Sequence, residues 1–310
     1  MNSMISSYIF ICPCCSSNLL TNNDELYCRN PQCSKKEFYK INNKPVLIDF
    51  SNSILKEDTF LEKSGSSIVK RRKKKMPFLK RIIMGENKIT KGNIKQLSNF
   101  LFKITNPKIL IVGGGEVGSG LEYFVNQFDK NIMSFDIYDS ENVDFIADGH
   151  SIPIISNYFD LVICQAVLEH VLNPNMVVSE ITRVLKFGGV VYAETPFMQQ
   201  VHEGAFDFTR FSESGHRYLF KNFTTLKTGY TKGAGTTLLW ALTYFATGIF
   251  RTRLAGKIIR ISFFWLRFFD YFIPHKYNID SACGVFFLGE KNQNILADKD
   301  IISHYRGSQK

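Results

Sequence analysis

Two groups of residues in this chain have the types and spacing to do chemistry: a cluster of cysteines and a set of glycines followed by aspartates. Five of the seven cysteines fall between Cys12 and Cys33. Cys12 and Cys15 form a C-x2-C knuckle, and after twelve intervening residues Cys28 and Cys33 make a second, looser pair. Two such pairs offer the four soft thiolates that zinc takes in a tetrahedron. An odd cysteine total, clustered this way and with no export leader expected at the start, points to metal rather than disulfides. Cys14 is the spare and can replace Cys15. Four thiolates leave no open coordination position, so the expected zinc is structural.

The second group begins with Gly113-x-Gly115-x-x-Gly118, directly after the apolar run Ile109–Val112. Glycines there let the backbone come close to a ligand. Asp136 follows 23 residues after Gly113, at the end of the next apolar run. A carboxylate in that place can accept both hydroxyls of a ribose. Asp148 and Gly149 close a third run. On these residues alone, a nicotinamide dinucleotide and S-adenosylmethionine both stay open.

Positioning such groups requires a parallel sheet. Ile109–Val112 reads as a buried strand, and Leu121, Phe124, Val125 and Phe128 recur at helical spacing. Ile132–Asp136, Val143–Asp148, Phe159–Cys164 and Val190–Glu194 read as further strands. Asn173-Pro174 opens a helix with a cap and a first-turn proline, Val177, Ile181, Val184 and Leu185 line it, and Gly188-Gly189 is expected to stop it. Strands near Phe223–Thr228 and Gly284–Leu288 complete the set. Alternating strands and helices imply α/β architecture with helices on both faces. Between the last two strands, Leu238–Phe250 is apolar and aromatic. After it, Arg251, Arg253, Lys257, Arg260 and Arg267 interleave with Ile258, Ile259, Phe263, Phe264, Trp265, Phe268 and Phe269. Two helices are expected here.

Further motifs fall in order: Ala147-Asp148-Gly149-His150-Ser151-Ile152-Pro153, Phe159-Asp160-Leu161-Val162, Val167-Leu168-Glu169-His170-Val171, Arg183-Val184-Leu185-Lys186-x-Gly188-Gly189 and Glu194-Thr195-Pro196. Over residues 108–215 this series resembles the class I S-adenosylmethionine-dependent methyltransferases, type 11-like, in the group that includes quinone-biosynthesis and glycan-modifying enzymes. The resemblance implies a Rossmann-like, seven-stranded, mostly parallel sheet whose last strand is antiparallel. It places the methionine end of the cofactor over Gly113, Gly115 and Gly118, the ribose on Asp136, and the adenine near Asp148 and Gly149. It puts Cys164 and Gln165 under the sulfonium. The family's acidic residue two before the first glycine is here Ile111, which leaves Glu116 or a water to hold the methionine amine. The wording around the cysteines, with Leu26-Tyr27-Cys28, Phe38-Tyr39-Lys40-Ile41 and Lys44-Pro45-Val46-Leu47, resembles short zinc ribbons that precede some bacterial methyltransferases, without their usual glycine before the proline turn.

Methyl transfer from a sulfonium asks mainly for positioning and exclusion of water. A hydroxyl acceptor also asks for a base. Loops at the carboxyl ends of parallel strands carry substrate sites. After the fifth strand that loop holds His202, Glu203, Asp207 and Arg210, in a stretch similar to one in methyltransferases encoded among surface-polysaccharide functions. His202 is the expected base, Asp207 or Glu203 its orienting group, and Arg210 a hold on an anionic or sugar group. Asp207 and Arg210, three apart, can equally pair and pin the loop. His170 is expected to shape the pocket floor.

The expected division is a zinc-ribbon-like module over 1–50, a basic linker over 51–90 containing Lys70–Lys75, a methyltransferase domain over 91–295 with a helical insertion at 236–275, and a tail over 296–310. The net charge of +10 favours anionic partners without choosing among them. The expected acceptor is a small molecule, a sugar or a lipid-linked glycan. The expected location is cytoplasmic, with peripheral contact to the inner membrane face open to 238–273, which can also serve as lid or dimer face. The alternatives are a ribosomal or transfer RNA methyltransferase and a catalytically inactive zinc-ribbon/Rossmann scaffold. Nucleic acid is the less favoured partner, because no aromatic platform accompanies the basic run. Serine substitutions at Cys12 and Cys28 are expected to unfold the N-terminal module alone.

Overall fold

A computed structural model of the chain describes residues 9–22, 25–62 and 87–309. The basic run Lys70–Lys75 lies outside them. The strands are β1 (Leu19–Asn22), β2 (Glu25–Cys28), β3 (Glu37–Phe38), β4 (Lys40–Ile41), β5 (Lys44–Leu47), β6 (Ile109–Val112), β7 (Ile132–Asp136), β8 (Phe145–Ala147), β9 (Phe159–Gln165), β10 (Leu185–Pro196), β11 (Phe223–Lys232) and β12 (Gly284–Lys291). Strands β1–β3 form a small antiparallel sheet beside the cysteines. The central sheet has the order β11-β12-β10-β9-β6-β7-β8-β5-β4.

Strands β6–β12 are the seven expected, with β12 antiparallel to both β10 and β11 and the others parallel. The sheet then continues past β8. Strand β5 pairs with it in parallel through Val46↔Ile146 and Leu47↔Ala147. Strand β8 is buried along its whole length, and an open apolar edge of that kind would recruit other chains. The end of the cysteine-bearing segment covers it.

Alternation along the strands sorts the core into two layers. Leu110, Val112, Val162, Cys164, Val191 and Ala193 face one way, onto Val177, Ile181 and Val184 of helix Pro174–Val184. Ile109, Leu161, Ile163, Val190 and Tyr192 face the other, onto Ile94, Leu97 and Leu101 of helix Lys88–Leu101 and Phe124 and Phe128 of helix Glu122–Phe128. Asn173 caps its helix by accepting from the Met176 amide at 3.2 Å. That helix ends at Val184, and Gly188-Gly189 falls within β10 rather than at a helix stop. The strand shifts register between Leu185 and Val190, where Gly188 takes φ 75°, so the chain bulges without leaving the sheet.

The 238–273 stretch forms helices Ala234–Phe250 and Arg253–Ser262, followed by the short turns Phe264–Phe268 and Phe269–Phe272. Within the expected linker, Glu57–Glu62 is a short helix, and residues 88–90 already belong to helix Lys88–Leu101. Residues 296–309 of the expected tail fold back: Tyr305 donates to Asp280 and His304 pairs with Glu213. No helix among the described residues is long and apolar enough to cross a membrane.

Candidate active site

The carboxyl ends of β6, β7, β8, β9 and β10 open into one cavity of about 750 Å³. At one end the chain leaves β6 through Gly113, held at φ 73°, where an L side chain would be strained and a Cβ would lie 2.2 Å from Val167 Cγ2. Asp136, at the end of β7, accepts from the amides of Gly115 at 2.9 Å and Ile137 at 2.7 Å. The carboxylate and the glycine loop therefore fix each other. Asp148, after β8, accepts from Ser53 Oγ at 2.6 Å and from the His150 amide at 3.0 Å, and its Oδ1 lies 2.6 Å from His150 Nδ1. Burial raises its carboxyl, but these bonds outweigh burial and hold it below the usual range.

Of the eight residues expected at the cofactor, Gly113, Gly118, Asp136, Asp148, Gly149 and Gln165 line the cavity. Gly115 and Cys164 do not. Gly115 backs onto the Tyr138 ring and anchors the loop through Asp136. Cys164 points into the core layer, because alternation along β9 turns it inward and leaves Gln165 facing the cavity. Gln165 donates to Glu194 at 2.7 Å and to the Ser119 carbonyl at 3.2 Å, while its buried Oε1 accepts nothing. Ala166 next to it takes φ 55°, a left-handed conformation unusual outside glycine, and its amide donates to the Glu194 carbonyl. Glu116 also lines the cavity. An orphaned buried acceptor beside a glycine cradle and two strand-end carboxylates suits a ligand that brings an ammonium, a ribose and an adenine. The residues present fit S-adenosylmethionine.

At the other end stand the loop residues. His202 and Glu203 line the cavity, whereas Asp207 and Arg210 lie behind it. Asp207 accepts from the His202 amide at 2.9 Å and faces His202 Nδ1 at 3.3 Å. Arg210 forks onto both Asp207 oxygens and also donates to the Gln199 carbonyl at 2.9 Å. Burial raises the Asp207 carboxyl, but the Arg210 and His202 bonds bring it down to about 2. It is therefore a fixed anion behind the imidazole. The guanidinium of Arg210, expected to hold an acceptor group, is committed to this loop.

The residue that sequence reasoning passed over as a site group is Glu169. It sits in the Leu168-Glu169-His170 motif, fully buried, and neither carboxyl oxygen accepts a hydrogen bond. Its Oε1 is 3.7 Å from His170 Nε2 and 3.8 Å from His202 Nε2. Burial pushes its carboxyl up to about 8. The rings of His170 and His202 meet edge to face at 4.9 Å. His170 is kept below its ordinary value, chiefly by burial, and its Nδ1 sits 2.7 Å from the Phe206 carbonyl. The ligand atoms of Glu169, His170 and His202 lie within 4.8 Å of one another, so these three could hold a divalent ion as well as exchange a proton. The motif itself was the available signal; the missing hydrogen bonds were not.

The expected metal ligands converge as a second cluster. Cys12, Cys15, Cys28 and Cys33 have their sulfurs within 4.8 Å of one another. Cys12 Sγ is 3.7 Å from Cys33 Sγ, and Cys15 Sγ is 3.4 Å from Cys28 Sγ. A tetrahedron with metal–sulfur bonds of about 2.3 Å has edges of about 3.8 Å, so the four thiols fit zinc. Cys14 stays outside this set and packs against the core.

Residues 110–193 match the family described as "Methyltransferase domain". That segment carries β6 through most of β10, the strands that bear the glycine loop and Asp136. The chain thus contains a methyltransferase domain, the enzyme class its motifs resemble. No curated protein sequence matches it. Among solved structures it is similar to a putative sarcosine dimethylglycine methyltransferase from Galdieria sulphuraria, at 15% identity and TM-score 0.42, covering 66% of this chain and 86% of that one. It is similar to phosphoethanolamine N-methyltransferase 2 of Haemonchus contortus in complex with S-adenosyl-L-methionine, at 17% identity and TM-score 0.43, covering 69% of this chain and 56% of that one. A geranyl diphosphate C-methyltransferase from Streptomyces coelicolor A3(2) matches at 12% identity and TM-score 0.42, covering 65% and 77%.

Proposed function

We propose that this protein transfers a methyl group from S-adenosylmethionine to a hydroxyl of a small-molecule, sugar or lipid-linked glycan acceptor. The observation that carries the reading is a single cavity, with the glycine loop, Asp136 and Asp148 at one end and His202, backed by Asp207, at the other. Bound there, S-adenosylmethionine supplies a methyl already activated by its sulfonium. Asp136 would accept from the ribose hydroxyls, and Gln165 Oε1 is an acceptor for a donor on the methionine end. The Asp207 carboxylate favours a proton on His202 Nδ1, which leaves the Nε2 lone pair as the base. Nε2 would take the proton of the acceptor hydroxyl, whose oxygen gains the methyl as the sulfonium gives it up and becomes a neutral thioether. Glu169, mostly protonated near neutral pH, stands beside Nε2 without competing as an anion.

Two substitutions test this. Asp136→Ala is expected to weaken S-adenosylmethionine binding by tenfold or more in calorimetry, since a half-buried acceptor fixed by the Gly115 and Ile137 amides is lost. His202→Ala is expected to keep that affinity while turnover slows by about a hundredfold, the ordinary share of a positioned base. Unchanged affinity in the first, or full activity in the second, removes that residue from the account. The acceptor itself is sought by comparing extracts of cells with and without the protein for a species lighter by one methyl group.

A further inference from the structure

Helices Ala234–Phe250 and Arg253–Ser262, with the turns after them, leave an unusual surface. Among the described residues, fourteen of the thirty-one exposed large apolar side chains lie between Leu238 and Phe272. That density, in little more than a tenth of the chain, marks a contact surface rather than scattered exposure. The packing explains why they point outward. Gly256 is buried where the two helices cross, and a Cβ there would lie 2.2 Å from Thr247 Oγ1. Opposite Gly256 on its helix lie Leu254, Ile258 and Ile261, each more than half exposed. On the other helix Leu238, Phe245 and Ile249 share the outer stripe, and Phe250, Tyr271 and Phe272 continue the apolar surface.

Charge completes the pattern. Arg253, Lys257 and Arg260, at i, i+4 and i+7, form one flank of their helix, and Arg251 and Arg267 add two more cations. No aspartate or glutamate occurs from residue 214 to residue 269. Asp270, the first acid after that gap, is turned inward onto the Thr236 amide and hydroxyl. The Arg260 guanidinium stacks 4.7 Å from the Trp240 ring. An exposed apolar face with aromatic residues and a purely cationic border complements an anionic lipid surface, where apolar side chains enter the acyl boundary and cations meet phosphates.

We infer that residues 238–272 dock this protein on an anionic membrane, with their helices lying in the plane of the interface. The same helix reaches the active site. Trp240 lines the cavity, and Tyr244 donates to the Val201 carbonyl at 2.8 Å, next to His202. Docking therefore brings the cavity to the lipid headgroups, where a lipid-linked acceptor would present its polar end. The choice of acceptor rests on the function proposed above; the docking does not.

The test is sedimentation of the full chain, without cofactor, with vesicles of phosphatidylcholine alone or mixed with phosphatidylglycerol. The protein is expected to pellet with the mixed vesicles only, and less so as salt rises. Ile258→Ser with Ile261→Ser should weaken partition by roughly tenfold or more, and Arg253→Glu with Lys257→Glu by about as much. All four positions are exposed or border the exposed face, so both variants should keep the wild-type affinity for S-adenosylmethionine, which also shows that they fold. Absence of binding to either vesicle overturns the inference. So does a wild-type dimer in sedimentation velocity that the Ile258→Ser, Ile261→Ser variant converts to monomer, because the face then meets a second copy of the chain. Neither result touches the cofactor site, and loss of cofactor binding would leave the vesicle result standing.

Discussion

A carboxyl group that is fully buried and accepts no hydrogen bond is stable only while it keeps its proton, and Glu169 is in that condition. Its folded value near 8 lies above the ordinary carboxylate range, so between about pH 4.5 and 8 the folded chain binds a proton that the unfolded chain has lost. Stability must then decline as pH rises through that window, by up to about 1.4 kcal/mol per unit. Glu169→Gln keeps the shape and removes the proton. Its unfolding midpoint should match wild type at pH 5 and exceed it at pH 8; equal midpoints at both values would mean the carboxyl is stabilised in some other way. The sequence offered Glu169 only as part of a motif. Residue type and spacing singled out His202 and Asp207 as candidates, because a histidine and an acid five apart on one loop can be read directly, and the fold brings them to 3.3 Å. Whether a glutamate finds a donor depends on every neighbour in three dimensions, and no spacing encodes that. Arg210 was legible only as a choice, a hold on substrate or a partner that pins the loop with Asp207, and the fold gives its donors to Asp207 and Gln199.

At the scale of elements, strands β6, β9 and β10 of the Rossmann-like sheet were legible because each holds a short apolar run whose alternate residues serve opposite core layers. Strand β5 was not. Lys44-Pro45-Val46-Leu47 reads as part of the zinc-ribbon resemblance, and its pairing with β8 is a contact across about one hundred residues. The helical pair at 234–262 was readable as two helices, but its crossing was not, since that depends on one glycine fitting against Thr243 and Thr247. Gly256→Leu tests the crossing. A side chain there has nowhere to go without splaying the helices, which should cost about 1–3 kcal/mol. Helix Ala234–Phe250 also carries Trp240 and Tyr244, so acceptor turnover should fall while S-adenosylmethionine affinity stays at the wild-type value. Retained stability together with retained turnover would show that the helices can separate freely.

The molecule as a whole does not divide where its composition does. A cysteine-rich start and a basic run suggest a bead joined by a tether, and metal loss in such a bead would leave the catalytic unit intact. The structure joins the parts. Cys12, Cys28 and Cys33 belong to the same apolar cluster as Leu110 and Val162 of the central sheet. Phe10 meets the Phe145 ring edge to face at 5.3 Å, and the Ile11 amide donates to the Pro153 carbonyl at 3.1 Å. Ser53, beyond the ribbon, holds Asp148 at the expected adenine end of the cavity. With a metal held, the four thiols would staple one wall of a core that also positions the cofactor residues, and unfolding that wall would expose the β8 edge. Cys28→Ser should therefore lower the midpoint of a single cooperative transition by roughly 10 °C, and weaken S-adenosylmethionine binding with it. Calorimetry resolves the alternative: two separate transitions, with the upper one at the wild-type temperature and full cofactor affinity retained, would mean that the ribbon melts alone and that the shared core contributes little to the catalytic fold.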